Sequence, residues 1–300
     1  MPTYQPLAEI MRPDSLTDFV GQKHLLDADQ PLGKSLNEGQ LHSMVLWGPS
    51  GTGKTTLARI ICKQVGAHFE QMSAVLDGVK ELRIVLDHAE RYQQHGKSTV
   101  LFVDEIHRFN KSQQDAFLPH IESGLITLIG ATTENPSFEL NRALLSRLRV
   151  YILNSLNAQE LSVVATKAIE YRKISFEDDG SLDSVIAASG GDARRLINII
   201  EQLSQGDDKP LNKKDVSKIL QGKISAFDKG GDIYYQQLSA FHKSVRGSSP
   251  DGALYWMARM LVSGCDAKVI ARRLLAIASE DIGNADPRAL QITLNAWDVY

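Results

Sequence analysis

The stretch Met44-Val-Leu-Trp-Gly-Pro-Ser-Gly-Thr-Gly-Lys-Thr-Thr56 decides the fold of this chain. Within it, Gly48-x-x-x-x-Gly-Lys-Thr55 matches the full G-x-x-x-x-G-K-[ST] pattern of a phosphate-binding loop. The apolar run from Met44 to Trp47 predicts a buried strand before the loop, and the residues from Leu57 to Cys62 predict a helix after it. Because both flanks fit the strand–loop–helix context of such a loop, the sequence predicts a nucleotide-binding α/β domain.

Each residue type in this loop suits a polyphosphate ligand. Glycines let backbone N–H groups turn toward phosphate oxygens, and the N-terminus of the following helix adds a favourable field. The Lys54 ammonium can reach the β and γ phosphates, and the Thr55 hydroxyl can bind Mg²⁺. The predicted cofactor-binding residues of the loop are Gly48, Pro49, Ser50, Gly51, Thr52, Gly53, Lys54, Thr55 and Thr56.

Composition is that of an ordinary globular protein. The 300 residues are enough for two domains or three small ones, and the hydrophobic content is 43%. A net charge of −3 gives no overall basic field for nucleic acid, although local patches are compatible with it. The sequence contains two cysteines, no apolar run near the ~20 residues of a membrane span, and no signal-peptide pattern. We therefore expect a cytoplasmic protein without a membrane partner.

Two carboxylates follow the next strongly apolar run. Thr99-Val-Leu-Phe-Val-Asp-Glu105 predicts a central parallel strand, and acids at its C-terminal end lie where open α/β sheets bind ligands. Asp104 is the candidate that holds Mg²⁺, directly or through water, and Glu105 is the candidate general base for the attacking water. The alternative is that these acids cap the next helix. His107 follows and is interpreted as a surface or supporting histidine, because no partner spacing indicates a metal site.

A second polar strand end comes later. Leu125 to Thr133 predicts a strand that ends in Thr132 and Thr133, and such a hydroxyl either contacts the γ-phosphate or water, or begins the turn before Asn135-Pro136. With the strands Ala67–Met72 and Val150–Leu153, five strands alternate with helices and predict a parallel sheet with right-handed crossovers. We predict the structure of three further segments. Met11–Gln22 should be a loop leading into a helix, and Ser112–His120 and Phe138–Leu148 should each form one helix.

Beyond Asn154 the pattern is helical only. Asn157 with Glu160 predicts a capping box, and Asp192 predicts the cap of a helix that carries Arg194 and Arg195 in its first turn. Cations there oppose the helix dipole, which indicates either a nearby phosphate or solvated arginines. The predicted domains are 1–154 (nucleotide-binding αβα), 155–222 (helical lid) and 223–300 (helical, oligomerising), joined by a linker at 223–231. The last helix has no stop signal, so we expect the chain to end inside its C-terminal domain.

These motifs together resemble those of AAA+ ATPases, specifically the replication-associated recombination protein A (MgsA) family, related to Werner-helicase-interacting protein. The resemblance covers the whole chain. The C-terminal motifs distinguish this family from other members of the AAA+ superfamily. The segments that carry it are Arg12-Pro13, Phe19–Gln22, Gly48–Thr55, Leu101–Glu105, Gly130–Thr133, Leu145–Arg147, Gly191–Arg194, Leu238–Ser248, Leu254–Met260 and Ala271–Pro287.

The resemblance implies a role for several side chains. Arg12, Val20 and Gln22 would border the adenine, and Thr132 or Thr133 would be sensor 1. Arg147 would be the arginine finger that reaches the ATP of a neighbouring subunit, with Arg142 and Arg149 as alternatives. Arg194 would be sensor 2, contributed by the lid.

The resemblance also implies an activity and its partners. These are ATP and Mg²⁺ as cofactors, DNA-stimulated hydrolysis, and action in DNA replication, recombination and repair at stalled forks and DNA ends. It further implies clamp-loader-like ancestry, a homotetramer formed through the C-terminal domain, association with single-stranded-DNA-binding protein, and a cytoplasmic, nucleoid-associated location. An ATP-gated module that binds DNA or partner proteins with little motor activity is the alternative. An unrelated P-loop phosphotransferase is disfavoured because the sequence contains no obvious acceptor site.

Overall fold

The computed structural model describes residues 5–205, 209–221, 232–263 and 265–299. The chain divides into two compact units, Met1–Val216 and Ser217–Tyr300. No helix in the described ranges is both long and apolar enough to cross a bilayer.

A five-stranded parallel sheet forms the centre of the first unit, as predicted. Its strands are β1 (Met44–Trp47), β2 (His68–Ser73), β3 (Thr99–Asp104), β4 (Ile126–Thr132) and β5 (Arg149–Ile152), in the order β2-β3-β4-β1-β5. The three central strands are buried along most of their length because apolar clusters cover both faces of the sheet. Parallel pairing brings the C-terminal ends of β3, β4 and β1 to one edge of the sheet. The phosphate loop begins at this edge, directly after β1.

Within the described residues, the N-terminal segment before β1 contains three short helices. It forms α1 (Leu7–Ile10), α2 (Lys23–Leu26) and α3 (Pro31–Asn37). Pro6 is extended, and the helix begins at the next residue. In α3, Pro31 occupies the first helical turn, where a missing N–H has no cost, and Leu32 and Leu36 are buried.

Two helices connect the first three strands in sequence. α4 (Lys54–Gln64) lies between β1 and β2, and α5 (Val79–Gln94) lies between β2 and β3. The next two predicted single helices are instead broken. Ser112–His120 is replaced by α6 (Lys111–Asp115) and α7 (Leu118–Glu122), and Phe138–Leu148 by α8 (Pro136–Glu139) and α9 (Arg142–Leu145). In the second case Leu140 is extended, and Asn141 starts a new helix by accepting a hydrogen bond from the Leu144 N–H.

The all-helical region after β5 consists of α10 (Ala158–Arg172), α11 (Ser181–Ser189), α12 (Ala193–Leu203) and α13 (Lys213–Gln221). The predicted capping box of α10 is formed by Asn157 and Glu160. Gly190, in the left-handed region at φ 62°, ends α11. The side chain of Asp192 caps α12 through the Arg195 N–H, as expected.

The second unit is helical, with α14 (Asp232–Arg246), α15 (Pro250–Val262), α16 (Ala267–Ala276) and α17 (Arg288–Val299). A π-helical segment, Ile277–Ile282, continues directly from α16. The core of this unit contains Leu238, Phe241, Met260, Cys265, Ile270 and Ile277. The predicted linker at 223–231 lies outside the described residues.

Candidate functional site

The phosphate loop joins β1 to α4 with its lysine turned inward. Lys54 is buried, and its Nζ donates hydrogen bonds to the carbonyl oxygens of Gly48 at 2.6 Å and Pro49 at 2.8 Å. Burial lowers the pKa of the Lys54 ammonium, and the carboxylates of Glu105 and Asp104 partly offset that effect. The ammonium is therefore held on the inner side of the loop, in the field of the acids at the end of β3.

The glycines of the loop are required by close approaches from elsewhere in the chain. A Cβ on Gly51 would lie 1.7 Å from the Asp192 carboxylate, and one on Gly53 would lie 2.8 Å from the Phe19 ring. Both glycines also have positive φ, 66° and 94°. The loop is thus contacted from two sides, by the N-terminal segment and by the lid.

The two predicted acids lie at the end of β3, one strand removed from β1 across β4. Glu105 adopts the left-handed conformation, φ 53° and ψ 43°, which costs a non-glycine residue roughly 1–3 kcal/mol. Its carboxylate lies 3.3 Å from Nδ1 of His107. Backbone strain of this kind is typical of functional sites, and here it re-aims the chain directly after Asp104.

The two threonines at the end of β4 differ in exposure. Thr132 is fully buried, and its Oγ1 lies 2.8 Å from His107 Nδ1, accepts the Glu134 N–H at 3.0 Å and donates to the Glu134 carbonyl at 3.2 Å. Thr133 is only half-buried. The hydroxyl of Thr132 is therefore committed to protein contacts, and Thr133 has the more accessible hydroxyl of the pair.

Beside the loop lies a cavity of about 600 Å³. The N-terminal segment, the phosphate loop, α10 and α12 all contribute to its walls. Of the residues predicted from the sequence, Arg12, Val20, Thr56 and Arg194 line it, together with Gly51, Thr52 and Gly53 of the loop. Its volume is in the range of small-molecule sites.

One wall of this cavity carries a polar atom without a partner. Nε of Arg12 is buried and has no hydrogen-bond partner within the described residues. The same guanidinium donates to Glu9, and that hydrogen bond lowers the pKa of the Glu9 carboxyl. A buried donor in a cavity wall needs an acceptor, which a bound ligand can supply.

Gln22 does not line the cavity. It is 4% exposed and left-handed, and its amide bonds to the backbone of Asn154 in both directions, donating to O at 2.7 Å and accepting from N at 2.9 Å. The side chain fastens the N-terminal segment to the chain just after β5.

The three candidate finger arginines lie away from the cavity. Arg147 pairs with Glu122, and its Nη1 donates to the Ala143 carbonyl at 2.7 Å. Arg142 and Arg149 are exposed. All three are therefore outside the part of the site that this chain builds by itself.

The lid contacts the loop directly. Ser50 Oγ donates to Asp192 Oδ2 at 3.0 Å, and the Ala193 N–H donates to the Gly51 carbonyl at 3.1 Å. Arg194 follows immediately and lines the cavity. The sequence predicted Asp192 only as a helix cap, so its contact with the loop, 142 residues away in sequence, is a new feature.

The predicted donors for a divalent cation are the Thr55 hydroxyl and the Asp104 carboxylate. Within the described residues no group of three or more His, Cys, Asp or Glu side chains is placed to hold a metal. One hydroxyl and one carboxylate suit Mg²⁺, which keeps several waters and takes its other oxygens from substrate phosphates.

Comparisons with known proteins agree with this architecture. The family model described as "ATPase family associated with various cellular activities (AAA)" matches residues 44–156. The model "AAA C-terminal domain" matches residues 170–246, and "MgsA AAA+ ATPase C terminal" matches residues 247–300. The three matches together cover residues 44–300 except for 157–169.

Individual proteins that match nearly the whole chain resemble it in sequence or in fold. Replication-associated recombination protein A of Escherichia coli strain K12 is 52% identical, over 99% of this chain and 69% of that protein. ATPase WRNIP1 of Dictyostelium discoideum is 42% identical, over 98% of this chain and 37% of that protein. The solved Thermotoga maritima RuvB Holliday junction branch migration motor has a TM-score of 0.59 and 25% identity, over 89% of this chain and 91% of that one. The chain belongs to the replication-associated recombination protein A family of AAA+ ATPases.

Proposed function

We propose that this chain is a DNA-stimulated, clamp-loader-like ATPase that acts in replication, recombination and the rescue of stalled forks. The observation that carries the proposal is the convergence of the phosphate loop, the end of β3 and a 600 Å³ cavity at one edge of the sheet. The volume suits an adenosine moiety, and the loop continues from that cavity to Lys54. The names of the relatives, which refer to replication and recombination, support DNA as the partner.

In this proposal the chain's own residues divide the work of hydrolysis. Lys54 contacts the β and γ phosphates, and Thr55 and Asp104 hold Mg²⁺, which when bound neutralises charge on the phosphate oxygens. Glu105 orients a water and accepts its proton while the water oxygen bonds to the γ-phosphorus and the bridging oxygen leaves with ADP. Thr132 or Thr133 acts as sensor 1. Thr133 is favoured for this role because its hydroxyl is the more accessible of the two.

The cavity is proposed to receive the adenosine. Arg12 and Val20 line it, and the unpartnered Nε of Arg12 is available to an acceptor on the ligand. Gln22 acts indirectly, by fastening the segment that carries both residues. Arg194 is proposed to extend from the lid to the γ-phosphate as sensor 2.

Arg147 is proposed as the finger that completes a neighbouring subunit's site. Its Nε and Nη2 both donate to Glu122 Oε1, so these donors would have to leave Glu122 before they could bind phosphate. Mixing Arg147→Ala with Lys54→Ala protein tests this role. A mixed interface is intact when the Arg147→Ala subunit supplies the loop and the Lys54→Ala subunit supplies the finger. Partial recovery of ATPase supports Arg147, and no recovery in a confirmed assembly moves the role to Arg142 or Arg149.

Assembly is assigned to residues 223–300, after the nucleotide-binding domain (1–154) and the lid (155–222). Exposed apolar side chains on α15 and α17, including Leu254, Val262 and Ile292, support an association surface there. The proposed number of four subunits follows from the family resemblance. Single-stranded-DNA-binding protein is the further partner proposed, with a cytoplasmic, nucleoid-associated location.

ATP hydrolysis without DNA and with single-stranded, duplex or forked DNA tests the main proposal. We expect stimulation by DNA in the wild type, and Glu105→Gln should bind ATP but lose about 10²–10⁴-fold in turnover. Lys54→Ala is the matched control for loss of phosphate contacts. ATPase that ignores every DNA, combined with ATP-dependent DNA retention, would favour the ATP-gated binding module instead. Turnover by Glu105→Gln at the wild-type rate would remove the general-base assignment.

A further inference from the structure

We propose that His107 is a positioning residue that fixes the Glu105 carboxylate by linking it to Thr132. The proposal rests on the proposed function, because it concerns the residue assigned there to activate water. His107 lies in the single turn Ile106–Arg108, directly after Glu105, and only 11% of its side chain is exposed.

Packing fixes this turn against the neighbouring strand. Ile106 is fully buried and lies against Gly130 of β4, where a Cβ would approach the Ile106 Cδ1 to 2.9 Å. The Arg108 N–H closes the turn on the Glu105 carbonyl at 2.8 Å. The main chain that carries His107 is therefore held at the end of β4, beside Thr132.

One ring nitrogen of His107 faces both partners. Nδ1 lies 2.8 Å from Thr132 Oγ1 and 3.3 Å from Glu105 Oε2. The link therefore joins the ends of β3 and β4, which are the two strand ends that carry the polar residues of the site.

The surroundings of Nδ1 favour the tautomer that carries its proton there. Thr132 Oγ1 accepts from the Glu134 N–H and donates its own proton to the Glu134 carbonyl, so its remaining lone pair needs a donor. The negatively charged Glu105 carboxylate, 3.3 Å from the same nitrogen, favours a proton there as well. An Nδ1–H group donates to Thr132 and presents its positive end to the carboxylate, whereas a bare Nδ1 would set a lone pair against that carboxylate.

This link restrains a side chain whose backbone is already strained. The left-handed conformation of Glu105 directs its Cβ away from the line of β3, and the carboxylate end is then restrained by His107. Because Thr132 is fully buried in the sheet, its position is fixed. His107 therefore holds the Glu105 carboxylate at a fixed place relative to the sheet. Without the electrostatic contact with His107 the carboxylate can adopt other rotamers, and the water it orients is misplaced.

A pair of variants separates the donor from the volume of the ring. His107→Phe removes the N–H and keeps the ring, while His107→Asn keeps an N–H near the position of Nδ1. We expect His107→Phe to lower kcat for ATP about 10–100-fold, within the ~10²–10⁴-fold range of general-base catalysis, with KM changed less than about threefold. His107→Asn should recover most of the loss.

Further variants guard against a purely structural effect. Thr132→Val removes the hydroxyl that His107 contacts. Because Thr132 is also a sensor 1 candidate, the test is the double variant: His107→Phe/Thr132→Val should have nearly the kcat of Thr132→Val alone, and fully additive losses would refute the link. His95→Phe, at an exposed histidine that bonds only to its own helix at Arg91 O, is the matched control and should behave as wild type. In single turnover, His107→Phe should add little to the loss already caused by Glu105→Gln.

The outcomes separate this inference from the proposed function. If the wild type hydrolyses ATP and His107→Phe hydrolyses it equally well, the link is not used and the inference fails while the ATPase assignment stands. If His107→Phe raises KM and leaves kcat unchanged, His107 contributes to binding, and the inference also fails. If the wild type binds no adenine nucleotide, the proposed function fails first.

Discussion

Replacing Asp192 by Ala tests how the lid is joined to the phosphate loop. The substitution removes two hydrogen bonds, the cap on the Arg195 N–H at 2.8 Å and the bond from Ser50 Oγ at 3.0 Å. Loss of an Asp cap costs about 1 kcal/mol, and a solvent-exposed hydrogen bond contributes about 0.5 kcal/mol at the low end of its range. The expected destabilisation is therefore about 1.5 kcal/mol. For a unit of roughly 200 residues this lowers Tm by about 3–6 °C.

Thermal unfolding without nucleotide measures this loss, and two variants divide it. Asp192→Asn should retain most of the stability, because Asn caps helices as well as Asp does. Ser50→Ala removes only the contact with the loop and should cost about 0.5 kcal/mol. The double variant Ser50→Ala/Asp192→Ala should be no less stable than Asp192→Ala alone, because the two substitutions delete the same bond.

Two results would refute this reasoning. A Tm of Asp192→Ala within about 1 °C of the wild type would mean that neither bond stabilises the lid. Fully additive losses in the double variant would mean that Ser50 and Asp192 do not interact in solution, and that the cap alone accounts for the effect.

Two predictions concern titration. Burial raises the pKa of the Cys62 thiol to about 11, so about one molecule in a thousand is thiolate at pH 8. Because the thiolate is the reactive form, iodoacetamide should modify Cys62 rapidly only after the protein unfolds, which peptide mapping would show. Burial, reinforced by Arg149, lowers the pKa of His42, so its contribution to stability is present above pH 6.5 and is lost as pH falls through the lower folded-state pKa. His42→Gln should therefore lose less Tm than the wild type between pH 7 and pH 5, and an equal loss would exclude His42 as a source of acid sensitivity.

The sheet could be predicted from the sequence because its signals are local. Continuous apolar runs such as Thr99–Asp104, each followed by polar residues, require only that a strand be buried on both faces. The capping box of Asn157 and Glu160 is equally local, since it spans a single helical turn. Strand identity and the residues at the strand ends follow from such patterns.

Helix breaks were harder to predict because two local preferences compete. The apolar residues from Phe138 to Leu148 fit one helix, but Asn141 can satisfy the Leu144 N–H and so begins a second helix after an extended Leu140. In α3 a local signal was present, Pro31 in the first turn, although no helix was predicted there. Periodicity alone does not decide between one helix and two.

The least predictable part of the site depends on residues far apart in sequence. His107 meets Thr132 across 25 positions, and Gln22 meets Asn154 across 132. A lone histidine after two acids has no spacing that indicates its partner, so the sequence could only assign it a supporting place. Its tie to Glu105 depends on the adjacency of β3 and β4, which is a property of the sheet.

The order of residues in Gly191-Asp-Ala-Arg194 follows from the geometry of the lid. Gly191 has φ 89° and lies so close to Ser155 that a Cβ would approach its side chain to 2.7 Å. Asp192 then caps the helix and bonds to the loop, the next N–H bonds to the Gly51 carbonyl, and Arg194 reaches the cavity. Each residue turns about 100° around the helix axis relative to the one before it. One inserted residue after the cap would therefore rotate Arg194 away from the cavity while leaving the cap intact, so the position of the cap determines where the arginine points.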